Sequence, residues 1–250
     1  MSCSTTFGPT QKTLVATSTT LQYEWMGGWE LAIGVTALKA VIKRRTATAF
    51  QAQFAIQTAP VRTDKPNAPV PLGTLTSGEG ETCSTVIDLT SYTSGNFWIR
   101  VGVAYSATSA TVGSCDVTFT GGLSRCGRSL GVQVFTLSTL STTNAYQPIT
   151  GWQPALDLEV IKAAIVTTGI IGNFRFRLAY RRATTSQEVP GAWSTDLTSE
   201  WSQNGEAALS DTPLPSVGAE MWVQIGIQYY LSTGSALGQA TVSVALAGKR

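Results

Sequence analysis

The stretch GNFWIRVGVAYS (Gly95–Ser106) recurs near the C-terminus as AEMWVQIGIQYYLS (Ala219–Ser232). The echo is not isolated. Tyr23 matches Tyr146, Gly28-Trp29 matches Gly151-Trp152, and Leu38-Lys39-Ala40 matches Ile161-Lys162-Ala163, all at an offset of 123. Phe50 meets Phe174 and Trp98 meets Trp222 at 124; Gly113 meets Gly238 and Val117 meets Val242 at 125. The offset creeps upward as single-residue loop insertions make it. Ordered self-similarity of this kind means two copies of one domain. We place them at 1–126 and 127–250, each long enough to bury its own core. The glycine- and serine-rich GGLSRCGRSLG (Gly121–Gly131) reads as the joint, and residues 1–12 as a polar N-terminal arm.

Both copies read as β. Phe97, Ile99, Val101, Val103 and Tyr105 alternate with Trp98, Arg100, Gly102 and Ala104, the period of a half-buried strand. Val223, Ile225, Ile227 and Tyr229 keep that phase, and FQAQFAIQ at Phe50 and FRFRLAYR at Phe174 alternate in the same way. Leu31, Ile33 and Val35 suggest a further inward run, matched by Leu156 and Leu158. After it the inward phase moves to Leu38, Ala40 and Ile42, as a bulge or tight turn would make it. No helix is expected. The chain is therefore all-β: two tandem homologous β-sandwich domains of Ig-like or jelly-roll type.

The residue inventory excludes much chemistry. With no histidine in the chain, serine–histidine and cysteine–histidine nucleophiles and histidine zinc sites cannot be built. No phosphate loop or EF-hand loop is present, and we expect no cofactor and no metal. Acid pairs remain: Glu79 with Glu81, Asp157 with Glu159, and Glu24 with Glu30. Two facing acids are what a glycosidase needs, but a solvated strand face explains them more simply. The four cysteines, Cys3, Cys83, Cys115 and Cys126, read as reduced thiols, with Cys83–Cys115 and Cys3–Cys126 as possible pairs.

Charged residues make up 13% of the chain, against roughly 25% in ordinary soluble proteins. The net charge is +2, and the cations Lys43, Arg44 and Arg45 are offset elsewhere by acids. Nucleic acid is accordingly not an expected partner. No apolar run has membrane-spanning length, and the N-terminus does not read as a secretory signal.

Candidate contact residues lie on the outward phase. Gln51, Gln53 and Gln57 align with Arg175, Arg177 and Arg181, so one strand face exchanges glutamine for arginine, as two copies facing different neighbours would do. Arginine suits carboxylate or phosphate partners. Trp98 and Trp222 share that phase, followed by Arg100 and Gln224, and in both copies the indole is expected to cover a neighbouring strand. Trp193 and Trp201, near Asp196 and Asn204 in PGAWSTDLTSEW, suit either a sugar platform or an end cap.

A duplicated β-domain of low charge, without catalytic groups, resembles in general character the virion proteins of bacteriophages. That resemblance implies a non-enzymatic capsid-associated or decoration protein, located in the virion. Its partners would be itself, as a homo-oligomer, or other capsid proteins. The alternative is a carbohydrate-binding adhesion protein with paired modules.

Overall fold

A strand that is apolar on one face needs a second sheet to cover it. In the computed structural model each copy builds that pair of sheets from its own residues. The structure describes residues 4–139, 141–171, 173–184, 190–194, 197–198, 200–215, 221–232 and 238–249, with backbone only for Ser4, Thr139 and Asp157. The chain divides into two compact units, Met1–Cys126 and Gly127–Arg250.

Unit 1 contains β1 (Ser4–Ala16), β2 (Gln22–Trp25), β3 (Glu30–Leu31), β4 (Ala37–Thr48), β5 (Phe50–Ala59), β6 (Val70–Ser77), β7 (Gly80–Cys83), β8 (Ile87–Asp88), β9 (Trp98–Ala107) and β10 (Gly113–Ser124). Unit 2 contains β11 (Gly127–Thr139), β12 (Ala145–Pro148), β13 (Gln153–Pro154), β14 (Val160–Ile171), β15 (Phe174–Ala183), β16 (Gly205–Ala208), β17 (Thr212–Pro213), β18 (Trp222–Leu231) and β19 (Gly238–Lys249).

In unit 1 one sheet runs β1-β10-β4-β7 with β8 also on β4; the other runs β2-β9-β5-β6 with β3 also on β9. Every pairing is antiparallel. Counting β2/β3 and β7/β8 as interrupted single strands leaves eight, arranged as a jelly roll. The connectivity thus selects the jelly roll over the Ig-like alternative. Unit 2 repeats it as β11-β19-β14-β16 and a sheet centred on β18 with β12, β13 and β15. The place of β6 is taken by two bridges on β15, Tyr180↔Ser194 and Phe176↔Trp201.

Each core fills the space between its own sheets. Ile42, Phe54, Ile99, Val101 and Phe119 are buried in unit 1, and Ile165, Phe176, Ile225 and Val244 in unit 2.

Several expectations change. The inward run after β3 is no strand: Ile33 and Val35 are buried in a turn that carries the chain from one sheet to the other, which is why the apolar phase shifts there. Its match in unit 2 is a 3-10 turn, Ala155–Asp157, which leaves Leu156 67% exposed and buries Leu158. A one-turn helix at Thr90–Thr93 joins it, so helix is not wholly missing. The supposed arm is strand from Ser4 onward, with Phe7, Leu14 and Ala16 buried; a bulge between Phe7 and Thr10 hides the alternation. The joint also is mostly strand. Gly121 is there because a Cβ would lie 2.9 Å from the Phe119 ring, not to lend flexibility. Cys83 and Cys115 are free thiols. They point to opposite faces of one sheet, Cys83 exposed and Cys115 buried, and so cannot pair. Cys3, with the Cys3–Cys126 pair, lies outside the described residues.

Candidate interaction surfaces

The outward residues of β5 and β9 are not the solvated face that their polarity suggests. Gln53 and Gln57 are buried, and a third layer of side chains covers them. At its centre Arg100 lies between two indoles, its guanidinium carbon 4.4 Å from the Trp25 ring and 4.5 Å from the Trp29 ring. Arg100 Nε and Nη2 both donate to Gln57 Oε1, at 3.0 and 2.5 Å, and Gln57 Nε2 donates to the Asn67 carbonyl at 2.7 Å. Burial holds the Arg100 pKa below its ordinary value. Trp25 also stacks on Tyr23, at 6.0 Å. Trp98 Nε1 donates to the Val61 carbonyl, just past the end of β5, at 3.0 Å.

Unit 2 builds the same layer from exchanged parts. Here the arginine comes from the other strand: Arg181 of β15 donates to Gln224 Oε1 of β18 at 2.8 Å. The strand registers pair Gln57 with Arg100 and Arg181 with Gln224, so the two residue types have traded places across one cross-strand pair. Arg181 lies 5.3 Å from the Trp152 ring and 4.6 Å from Trp193. Trp152 is the counterpart of Trp29. Trp193, however, comes from the segment after β15 and does the work that Trp25 of β2 does in unit 1. It stacks on Tyr146, the counterpart of Tyr23, at 5.6 Å with rings nearly parallel.

The indoles can lie on the sheet because Gly102 and Gly226 stand beneath them. A Cβ on Gly226 would sit 2.6 Å from Trp193 Cζ3, and one on Gly102 2.9 Å from Trp25 Cε3. Gly226→Ala is expected to lift Trp193 off Tyr146 and destabilise unit 2 by about 1–2 kcal/mol. Urea unfolding and the near-ultraviolet dichroism of the Trp193–Tyr146 stack report both effects.

The arginine substitutions on β15 therefore do not mark a new neighbour at Arg181. Arg177 is likewise engaged inside the unit, its Nε donating to Gln228 Oε1 at 2.5 Å. Arg175 donates to Ser232 Oγ at 3.3 Å and is paired with Glu200 at 3.6 Å. Glu200 also accepts from the Tyr230 hydroxyl at 2.8 Å, which raises the Tyr230 pKa. Trp222 is half-buried opposite Ala183. Trp201 bridges to Phe176, their rings 5.6 Å apart, and packs on the core. Of the acids, Glu24 is paired with Lys12, and Glu30 with Arg125 at 2.8 Å. Asp157 and Glu159 do not share a strand: Asp157 ends the 3-10 turn and Glu159 lies between that turn and β14. The Asp157 carboxylate and Asp196 lie outside the described residues. Arg44, one of the three adjacent cations weighed for nucleic acid, is buried.

The units differ instead on the outer face of the other sheet. In unit 1 the cross-strand rows read Gln11–Thr118–Lys43–Glu81 and Thr13–Asp116–Arg45, with Lys39 beyond. In unit 2 the corresponding rows read Val134–Ser243–Val166–Glu206 and Thr136–Thr241–Thr168. The next row is wholly apolar: Val132–Ala245–Ala164–Ala208. Val132 and Val134 are 60% and 67% exposed. Both stand on β11, a 13-residue strand at the end of its sheet. Its counterpart β1 carries Pro9 and Lys12, which discourage pairing at an edge; from Val132 to Thr139 β11 has neither proline nor charge.

Among solved structures, the chain is similar to the PBSX exported protein XepA, with 8% identity over 98% of this chain and 86% of that one (TM-score 0.28). It is similar to infectious bursal disease virus Gx strain, with 10% identity over 100% and 72% (TM-score 0.32). A third is the CBM22-1–CBM22-2 tandem domain of Paenibacillus barcinonensis Xyn10C, with 9% identity over 98% and 92% (TM-score 0.31). No protein-family model matches the chain, and no curated protein matches it in sequence.

Proposed function

We propose that the chain is a non-enzymatic assembly protein of a virus particle, a capsid-associated or decoration subunit of the bacteriophage kind. It acts through contacts with its own copies or with other shell proteins, in the virion. The supporting observation is the contrast between two homologous sheet faces. Unit 1 keeps Lys39, Lys43, Arg45, Asp116 and Glu81 where unit 2 has only Glu206 among apolar or hydroxyl residues and the buried Lys162.

Exposed valines beside an unguarded sheet edge favour capture of another strand. The β11 edge offers backbone hydrogen bonds, and the Val132 and Val134 side chains offer apolar area. Jelly rolls serve widely as capsid subunits; that step is analogy of fold, and the face itself carries the contact chemistry. Sugar binding has less support. Trp193 is spent on Tyr146 and Gly226, and the indole N–H of Trp98 on Val61.

The test is the solution mass by light scattering across concentration and salt. The wild type is expected to form a discrete multimer that persists in high salt, as apolar contacts do. Val132→Lys with Val134→Lys is expected to weaken association at least tenfold, while Gln11→Lys on the matching face of unit 1 leaves it unchanged. A single-chain mass at all concentrations, with no co-sedimentation on phage shells, would sink the reading.

A further inference from the structure

Arg44 of β4 points between the sheets of unit 1 and is 5% exposed. Its Nε donates to the Gly78 carbonyl at 2.8 Å, and its Nη1 to the hydroxyls of Thr76 and Thr82 at 2.6 and 2.8 Å. The guanidinium thus fills the gap between the β6 and β7 edges.

The registers identify the same place in unit 2. Thr167 pairs with Gly205 as Arg44 pairs with Gly80, and both glycines have positive φ, 153° and 147°. Trp201 bridges Phe176 as Thr76 pairs with Ala52. Ala207 stands where Thr82 does. The Thr167 hydroxyl even reaches the corresponding carbonyl: it donates to Gln203 O at 2.9 Å, as Arg44 does to Gly78 O. A second contact, at 3.3 Å, goes to Gly205 O.

The berth has been kept while its resident side chain has been cut back. What remains is a cleft of about 130 Å³ at the sheet edge, floored by Ile165 and Phe176 and lined by Thr167, Trp201, Gln203 and Glu206. That is room for several water-sized groups. Among the described residues that line it there is no lysine or arginine. An indole now stands where Arg44 found a hydroxyl, and an indole face attracts a planar cation.

We propose that this cleft binds the guanidinium of a ligand supplied from outside the unit. The cation lies against Trp201 and donates to the carbonyl oxygens of Gln203 and Gly205. This does not depend on the assembly reading, since neither the β11 edge nor its valines take part.

The test monitors the Trp201 indole N–H and the amides of residues 203–207 by NMR in the full chain. Two guanidinium sources are titrated: methylguanidinium, and a blocked Gly-Arg-Gly peptide. The neutral citrulline peptide is the control. We expect saturable shifts with a dissociation constant of about 1 mM, at least tenfold weaker for citrulline. Peptide binding tenfold tighter than methylguanidinium assigns the ligand to a protein chain; equal binding assigns it to a free guanidinium compound. Thr167→Arg supplies the cation from within, as Arg44 does, and is expected to abolish the shifts. Trp201→Leu keeps an apolar cover but removes the indole face, and is expected to weaken binding about threefold. No saturable response from either guanidinium probe, an equal response from citrulline, or unchanged affinity in both variants would overturn the proposal.

Discussion

Arg100→Gln is expected to destabilise unit 1 by about 3 kcal/mol, and adding Gln57→Arg to restore most of that loss. The single change removes a cation held between two indoles, worth about 1–2 kcal/mol when partly desolvated. It also removes a charge-assisted hydrogen bond of comparable size. Gln57→Arg alone sets two guanidinium groups side by side and is expected to cost about 2 kcal/mol. Together the changes recreate the arrangement of Arg181 and Gln224, so the coupling between them should be about 4 kcal/mol and favourable. Urea unfolding measures all four proteins. The transition of unit 2 serves as the internal reference, because two domains need not unfold together. A double variant as unstable as the sum of its parts would mean that the exchange between units is drift.

That exchange shows why the site was only half legible in the sequence. Aligning the repeats column by column sets Gln57 against Arg181 and Arg100 against Gln224, and each column alone looks like a change of surface charge. The compensation is visible only once the register places residues 57 and 100 opposite one another. Trp193 was hidden for a related reason: it replaces Trp25 from a different segment, which no linear alignment detects. Tyr23, Trp29 and their counterparts did repeat at an offset of 123 and were the available signal. The strands themselves were plain wherever one phase was apolar, as from Phe97 to Tyr105. They were obscured in β1, where the bulge near Gly8 breaks the phase. In β11, Val132 and Val134 follow one phase and Phe135 and Leu137 the other. Apolar residues on both phases blur the alternation. Strand order was out of reach, because alternation says which side a residue faces and not which strand lies beside it.

The network around Lys162 should give the other large effect. Its counterpart Lys39 is exposed, whereas Lys162 is 2% exposed and sits 3.2 Å from Asp211 Oδ1. Lys249 holds the second oxygen, Oδ2, at 2.7 Å. Burial pushes the Lys162 pKa down, and Asp211 opposes that shift. Burial alone would raise the Asp211 pKa, but the Lys249 hydrogen bond and the Lys162 charge outweigh it and hold the carboxyl below its ordinary value. Removing this one carboxylate takes the Asp211 ion pair from a buried ammonium that lies near a second cation. A fully buried pair broken in this way costs about 3–5 kcal/mol; Asp211 is partly exposed, so Asp211→Ala is expected to cost unit 2 about 3 kcal/mol. Lys162→Met added to it should recover most of the loss, since the desolvated charge is then gone. The pH dependence has a definite sign. A carboxyl whose folded pKa is depressed contributes stability above its unfolded value, near 3.8, and that contribution disappears as pH falls through the folded value. Lys162, also depressed when folded, contributes most above its unfolded value near 10.5 and loses that contribution as pH falls through its folded value. Acid should therefore weaken unit 2 below about pH 4, and Asp211→Ala should flatten that part of the curve. Unfolding midpoints of unit 2 from pH 7 to pH 2.5 decide the matter. A variant within about 0.5 kcal/mol of the wild type across that range would show that the cluster does not hold the sheet.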